Sequence, residues 1–150
     1  MKKTLAFLTV IALSTPCYAD YLVGATAIVG GSCSSFGGGW ETWAYDSVSR
    51  MTYCKQISRS RPAEGIVEMR GLWRSSAPCG TLGTGWREIA YDSLAQIRFC
   101  AQYADPDTSD YYIENVSAIW GTTPCDTVGR GWETVVWNGF SRMSFCARFR

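Results

Sequence analysis

The chain has no histidine. That removes the side chain best suited to move a proton near neutral pH, and with it one of the common zinc ligands. Lysine is nearly absent too: Lys2, Lys3 and Lys55 are the whole set, against eleven arginines. No apolar stretch is longer than Leu5–Leu13, which is too short to span a bilayer, so a membrane-spanning segment is not expected. No Gly-x-Ser-x-Gly elbow occurs, and beyond residue 19 no stretch sustains a capped helical period. These absences argue against an enzyme, against a bound cofactor or metal, and against a helical fold.

The first residues read as an address. Lys2 and Lys3 precede the apolar Leu5–Leu13, and Cys17-Tyr18-Ala19 supplies a small-residue cleavage pattern. Residues 1–19 are therefore expected to be a secretory signal peptide cleaved after Ala19, leaving one domain over 20–150 that is secreted or periplasmic. Acylation of Cys17 is the alternative, although Ser14-Thr15-Pro16 fits a lipobox poorly. The remaining chain carries 12 basic and 13 acidic residues. A net charge so near zero gives no general attraction to nucleic acid or to an anionic membrane surface.

What is present is a repeat. Cys33 recurs as Cys79 and Cys125, and Cys54 as Cys100 and Cys146, each at a step of 46 residues. Gly37-Gly38-Gly39-Trp40 aligns without gaps with Gly83-Thr84-Gly85-Trp86 and Gly129-Arg130-Gly131-Trp132. An exact period with identical positions signals copies of one supersecondary unit, here about 21–58, 66–104 and 111–150. The repeat also selects the pairing of the six cysteines: Cys33–Cys54, Cys79–Cys100 and Cys125–Cys146. Each bridge closes a loop of about 20 residues, worth roughly 3 kcal/mol in the chain-entropy model.

Within a unit the pattern is that of strands. Asp46-Ser47, Asp92-Ser93 and Asn138-Gly139 are turn dipeptides between aromatic and β-branched runs. A two-residue turn there sets Tyr45 opposite Val48, Trp43 opposite Arg50 and Trp40 opposite Tyr53. That register puts Trp40, Thr42, Ala44, Ser49, Met51 and Tyr53 on a core face, with their counterparts in the other repeats. It leaves Glu41, Trp43, Tyr45 and Arg50 outside, with Glu41 diagonal to Arg50, Glu133 diagonal to Arg142, and Arg87 facing Arg98. A further strand precedes each first cysteine: Tyr21 to Val29, Ile66 to Arg74 and Tyr111 to Trp120. The Gly-x-Gly pairs before Trp40, Trp86 and Trp132 read as loop geometry, since a phosphate cradle wants a following helix.

The expected architecture is all-β with pseudo-three-fold symmetry, a β-prism with one small sheet per repeat, or a β-trefoil as the alternative. The repeat tail Asp92-Ser93-Leu94-Ala95-Gln96-Ile97-Arg98-Phe99-Cys100 resembles, over about ten residues, the repeat ends of vitelline-membrane outer-layer proteins, although the cysteine spacing differs. The resemblance implies a β-prism.

Aromatics beside polar groups at repeated turns suit a carbohydrate ligand, whose C–H faces stack on rings while its hydroxyls take hydrogen bonds. The candidate site residues are Trp43, Tyr45, Asp46 and Arg50 in repeat one, Tyr91, Asp92 and Gln96 in repeat two, and Trp137, Asn138 and Arg142 in repeat three. Three such sites on one frame would gain avidity on a glycan or glycoconjugate surface. The same Trp, Tyr and Arg anchors would serve a protein partner, as in an inhibitor, a toxin delivery subunit or an immunity protein. A structural surface protein, in which the repeats supply stability alone, is the third class.

Overall fold

The computed structural model describes residues 19–150, so the expected leader lies outside the described residues apart from Ala19. Among the described residues, nine strands form three separate antiparallel sheets. The first comprises β1 (Tyr21–Val29), β2 (Trp40–Asp46) and β3 (Met51–Ser58). The second comprises β4 (Gly65–Trp73), β5 (Trp86–Asp92) and β6 (Ile97–Ala104). The third comprises β7 (Ile113–Trp120), β8 (Trp132–Asn138) and β9 (Met143–Phe149). In every sheet the third strand of the unit lies in the middle. Separate sheets, each closed within one repeat, are the arrangement of a prism rather than the shared barrel of a trefoil.

The three bridges pair as the repeat implies. Each pins a single-turn 3₁₀ helix (Cys33–Phe36, Cys79–Leu82, Cys125–Val128) onto its sheet. These short helices carry no sequence period that could announce them. Three disulfides point to an extracellular or otherwise oxidising compartment. Among the described residues, no helix is long and apolar enough to cross a membrane. The glycine pairs are loop geometry: Gly39, Gly85 and Gly131 all sit at φ near +82° (82, 81 and 82). A Cβ at Gly85 would come within 2.5 Å of the Tyr103 carbonyl oxygen, so only glycine fits there.

The register differs from the sequence expectation in two ways. The hairpin loops hold four residues, not two, so Asp46 pairs with Met51, Tyr45 with Thr52 and Ala44 with Tyr53. Then a β-bulge intervenes between Thr42 and Ala44, and again between Glu88 and Ala90 and between Thr134 and Val136. One extra residue in a strand reverses the alternation beyond it. Ala44, Met51 and Tyr53 therefore face the core as expected, but Trp40 pairs with Gln56 and leaves the core face. Trp86 packs instead on the outer side against the Cys79–Cys100 bridge with Leu72 and Leu82. The bulge residue Trp43 turns inward, against Tyr53 and Phe145 at 5.8 and 5.6 Å between ring centroids.

The core is built in layers about the pseudo-three-fold axis. Tyr53, Phe99 and Phe145, one per repeat, meet edge to face with centroids 5.2, 4.7 and 4.9 Å apart. Met51, Ile97 and Met143 join them. A second cluster holds Leu22, Ile66 and Ile113 with Met69, Val116, Ala101 and Ala147. Lys55 occupies the position of Ala101 and Ala147, and its ammonium reaches inward to Asn115 Oδ1 at 2.6 Å.

Candidate functional site

Of the ten residues the sequence nominates, four are drawn into the fold. Asp46, Asp92 and Asn138 begin the three hairpin turns, and all three are buried. In each, Oδ1 accepts two backbone N–H groups of its own turn: Val48 and Ser49, Leu94 and Ala95, Phe140 and Ser141, at 2.9–3.3 Å. That is why aspartate and asparagine start these turns. Their remaining atoms meet on the axis, where Asn138 Nδ2 donates to Asp46 Oδ2 and Asp92 Oδ2, both at 3.2 Å. Trp43, the fourth, is the inward bulge residue. None of these side chains is presented to an external ligand.

Arg50, Gln96 and Arg142 close the turns. All three are exposed, and all three hold left-handed backbone, φ 58, 55 and 57°. The expected pairings Glu41–Arg50 and Glu133–Arg142 do not form, because the longer loop moves the arginines off the strand; Glu41 pairs with Lys55 and Glu133 with Ala147. Arg87 pairs with Ala101 rather than Arg98, bonds Glu64 at 2.9 Å and stacks on Tyr103 at 4.6 Å.

The remaining nominated residues, Tyr45, Tyr91 and Trp137, stand at equivalent positions on the outer faces. Tyr45 and Tyr91 are about half exposed and Trp137 half-buried. Beside Tyr91 lies a groove of about 460 Å³ with Arg74, Ser75, Ser76, Gln96 and Arg98. Arg98 stacks on Tyr91 at 5.3 Å and is ion-paired to Glu88. Beside Trp137 the equivalent groove, about 370 Å³, is lined by Thr122, Pro124, Thr134 and Ser144. In both, one wall is the loop leading to the disulfide, and the floor is the central strand. In repeat one the equivalent floor residue, Thr52, donates to the Gly31 carbonyl at 3.1 Å, which commits its hydroxyl to the fold. The sequence reading missed Arg98, Ser76, Thr122, Thr134 and Ser144. Alternation along the central strand already sets Arg98 and Ser144 on the outer face; the turn signals drew the nomination to the turn residues instead.

A further groove, about 480 Å³, follows the seam between β4 and β8, with Glu68, Arg70, Tyr111 and Glu133 on its walls. Glu68 is committed to Arg70 Nε at 2.6 Å. The corresponding seams are bridged by Thr26 Oγ1 to the Ile89 carbonyl, at 3.2 Å, and by Lys55 to Asn115. Burial holds the Lys55 ammonium below its ordinary value, while Glu41 opposite it pushes the other way.

No family model matches the chain, and a search among curated proteins returns no match.

Proposed function

We propose that the protein binds carbohydrate through the outer-face grooves beside Tyr91 and Trp137. The observation that supports this is the recurrence of one groove plan, aromatic wall over polar floor, at equivalent positions of two repeats. An exposed ring offers a flat apolar face to the C–H side of a pyranose, and the surrounding hydroxyls and amide take its hydroxyl groups. The two grooves differ in charge. Arg74 and Arg98 suit repeat two to a sugar carrying a carboxylate, such as a sialate or uronate. The hydroxyl-lined groove of repeat three suits a neutral sugar. The protein acts as a secreted or periplasmic lectin-like factor, holding its ligand without turning it over.

The test is a glycan array followed by calorimetric titration of the best ligand. Tyr91→Ala and Trp137→Ala should each abolish one ligand class in proteins that stay folded by far-UV dichroism; both rings are partly buried, so a modest fall in thermal midpoint accompanies each. An array with no glycan bound above background would end this reading.

A further inference from the structure

Six of the eleven large apolar side chains left exposed on the described surface gather at one end of the molecule. Each repeat gives two: the last residue of its first strand and the second residue of its hairpin turn. They are Val29 and Val48, Trp73 and Leu94, Trp120 and Phe140, exposed between 44% and 68%. Val29, Trp73 and Trp120 pair with Met51, Ile97 and Met143, the residues that directly follow the turns. The turns themselves converge, because Asp46, Asp92 and Asn138 at their roots are hydrogen-bonded to one another. The six side chains therefore ring a single end. Between Trp73, Leu94 and Phe140 the ring opens into a groove of about 430 Å³, with Arg74 and Gln96 at its edge.

The charge at this end is of one sign at the surface. Arg50, Arg74 and Arg142 are exposed there, and none makes an ion pair among the described residues. The two acids at this level, Asp46 and Asp92, are buried and held by turn amides. The next acids, Glu88 and Asp126, lie no nearer than the level of the disulfides, and Glu64, Asp105, Asp107 and Glu114 lie toward the opposite end. A near-neutral total thus conceals a polarised molecule.

We propose that this end docks on an anionic phospholipid bilayer. Tryptophan, leucine and phenylalanine at protruding turn tips enter the headgroup and upper acyl region, and arginines beside them meet lipid phosphates. A second copy of the chain is a poorer occupant, since face-to-face contact would bring unpaired arginines of like charge together.

Co-sedimentation of the body Asp20–Arg150, which contains all nine strands and three bridges, tests this on vesicles of pure phosphatidylcholine and of equimolar phosphatidylcholine and phosphatidylglycerol. Binding is expected to the anionic vesicles and to fall steeply with salt. Arg50→Asn, Arg74→Asn and Arg142→Asn together should weaken it by roughly a hundredfold. Asparagine tolerates the left-handed backbone of these sites, so the fold is kept, and far-UV dichroism checks it. Leu94→Ser with Phe140→Ser should weaken it at least about tenfold through lost apolar insertion. Equal binding of wild type and both variants, or no binding to anionic vesicles, overturns the proposal. So does sedimentation of a dimer that Leu94→Ser with Phe140→Ser dissolves while vesicles are ignored, since the end would then belong to a second copy.

Discussion

Asn138 Nδ2 donates a hydrogen bond to Asp46 Oδ2 at 3.2 Å across 92 residues of sequence, and a second of the same length to Asp92 Oδ2. An amide NH₂ has two protons, and the axis offers two carboxylates to receive them. Pseudo-symmetry would place the same side chain in all three repeats. Three aspartates would bury three acceptors of like charge with nothing between them to donate.

Asn138→Asp should therefore destabilise the fold by roughly 3 kcal/mol at neutral pH, as an uncompensated buried charge does. The added carboxyl would hold its proton more tightly folded than unfolded. The variant's deficit should thus shrink as pH falls, because protonation restores a donor on the axis. Chemical denaturation of variant and wild type at neutral and acidic pH measures both effects. A deficit independent of pH would mean that the amide serves packing rather than charge.

Tyr53 stands in the same column, where repeats two and three have Phe99 and Phe145. Its burial, and then the charges of Asp92 and Asp46, push its phenol well above the ordinary value of 10.0. The folded state thus keeps a proton that the unfolded chain releases. The stabilisation this represents is complete below pH 10 and declines above it by about 1.4 kcal/mol per pH unit. Tyr53→Phe should fold with nearly wild-type stability at neutral pH, since the hydroxyl's contact is a 3.8 Å approach to the Met51 thioether. The variant should lose less stability than wild type between pH 10 and 11. Half-buried Tyr103, also raised chiefly by desolvation, leaves some alkaline sensitivity in both proteins.

Much of this fold is legible in the sequence because its strongest signals are periodic. The 46-residue step gives the repeats and the bridges, and the turn dipeptides give a hairpin plus one long strand per unit, without reference to any contact; that the third strand lies in the middle is not in the pattern. The errors trace to single residues. The Asp-Ser dipeptide implies a two-residue turn, whereas an Asx side chain bonding two successive amides favours a longer loop. The bulges at Trp43, Ile89 and Val135 have no composition of their own, and each reverses the faces of the half-strand beyond it. Hence Met51 and Tyr53, next to the turn, were placed correctly, and Trp40, beyond the bulge, was not. The axial role of Asp46, Asp92 and Asn138 was hidden because turn aspartates are ordinarily exposed.

The bridges should not be equivalent. Each should contribute roughly 3 kcal/mol through its loop of about 20 residues. Cys79–Cys100 also forms the floor on which buried Trp86 packs with Leu72 and Leu82, whereas Trp40 and Trp132 are half-buried. Replacing Cys79 and Cys100 by alanine should cost more than either equivalent double substitution. Urea midpoints of the three paired variants give the order, and equal costs would show that the Trp86 cluster adds nothing.

Arg142 holds φ 57°, a conformation that costs a residue with a Cβ roughly 1–2 kcal/mol. Arg142→Gly removes that cost but gives the unfolded chain more freedom. The net should be a gain of about 0.5–1 kcal/mol, read as a higher thermal midpoint. A lower midpoint would show that the arginine side chain contributes to folding.

The glycan grooves make the sharpest functional prediction, because their differences can be read from single residues. In repeat one the Thr52 hydroxyl is spent on the Gly31 carbonyl, whereas the floor beside Tyr91 is a guanidinium with donors beyond its Glu88 ion pair and the floor beside Trp137 is the Ser144 hydroxyl. Tyr45→Ala should therefore change glycan binding least. Arg98 lies over Tyr91 in repeat two, where repeat three has Ser144. Arg98→Ser should thus remove preference for an acidic sugar while leaving neutral-sugar binding at Trp137 intact. With two competent grooves on one rigid frame, binding to a surface whose glycans carry both an acidic and a neutral sugar should exceed binding to either free sugar by a factor on the order of 10². Losing either aromatic should collapse that surplus while the remaining groove keeps its affinity for free sugar. Surface plasmon resonance on a glycan-coated chip, beside calorimetry with the soluble sugar, separates the two quantities. If Tyr91→Ala lowers chip binding and free-sugar binding by the same factor, and Trp137→Ala lowers neither, a single groove carries the activity and the two-site arrangement is wrong.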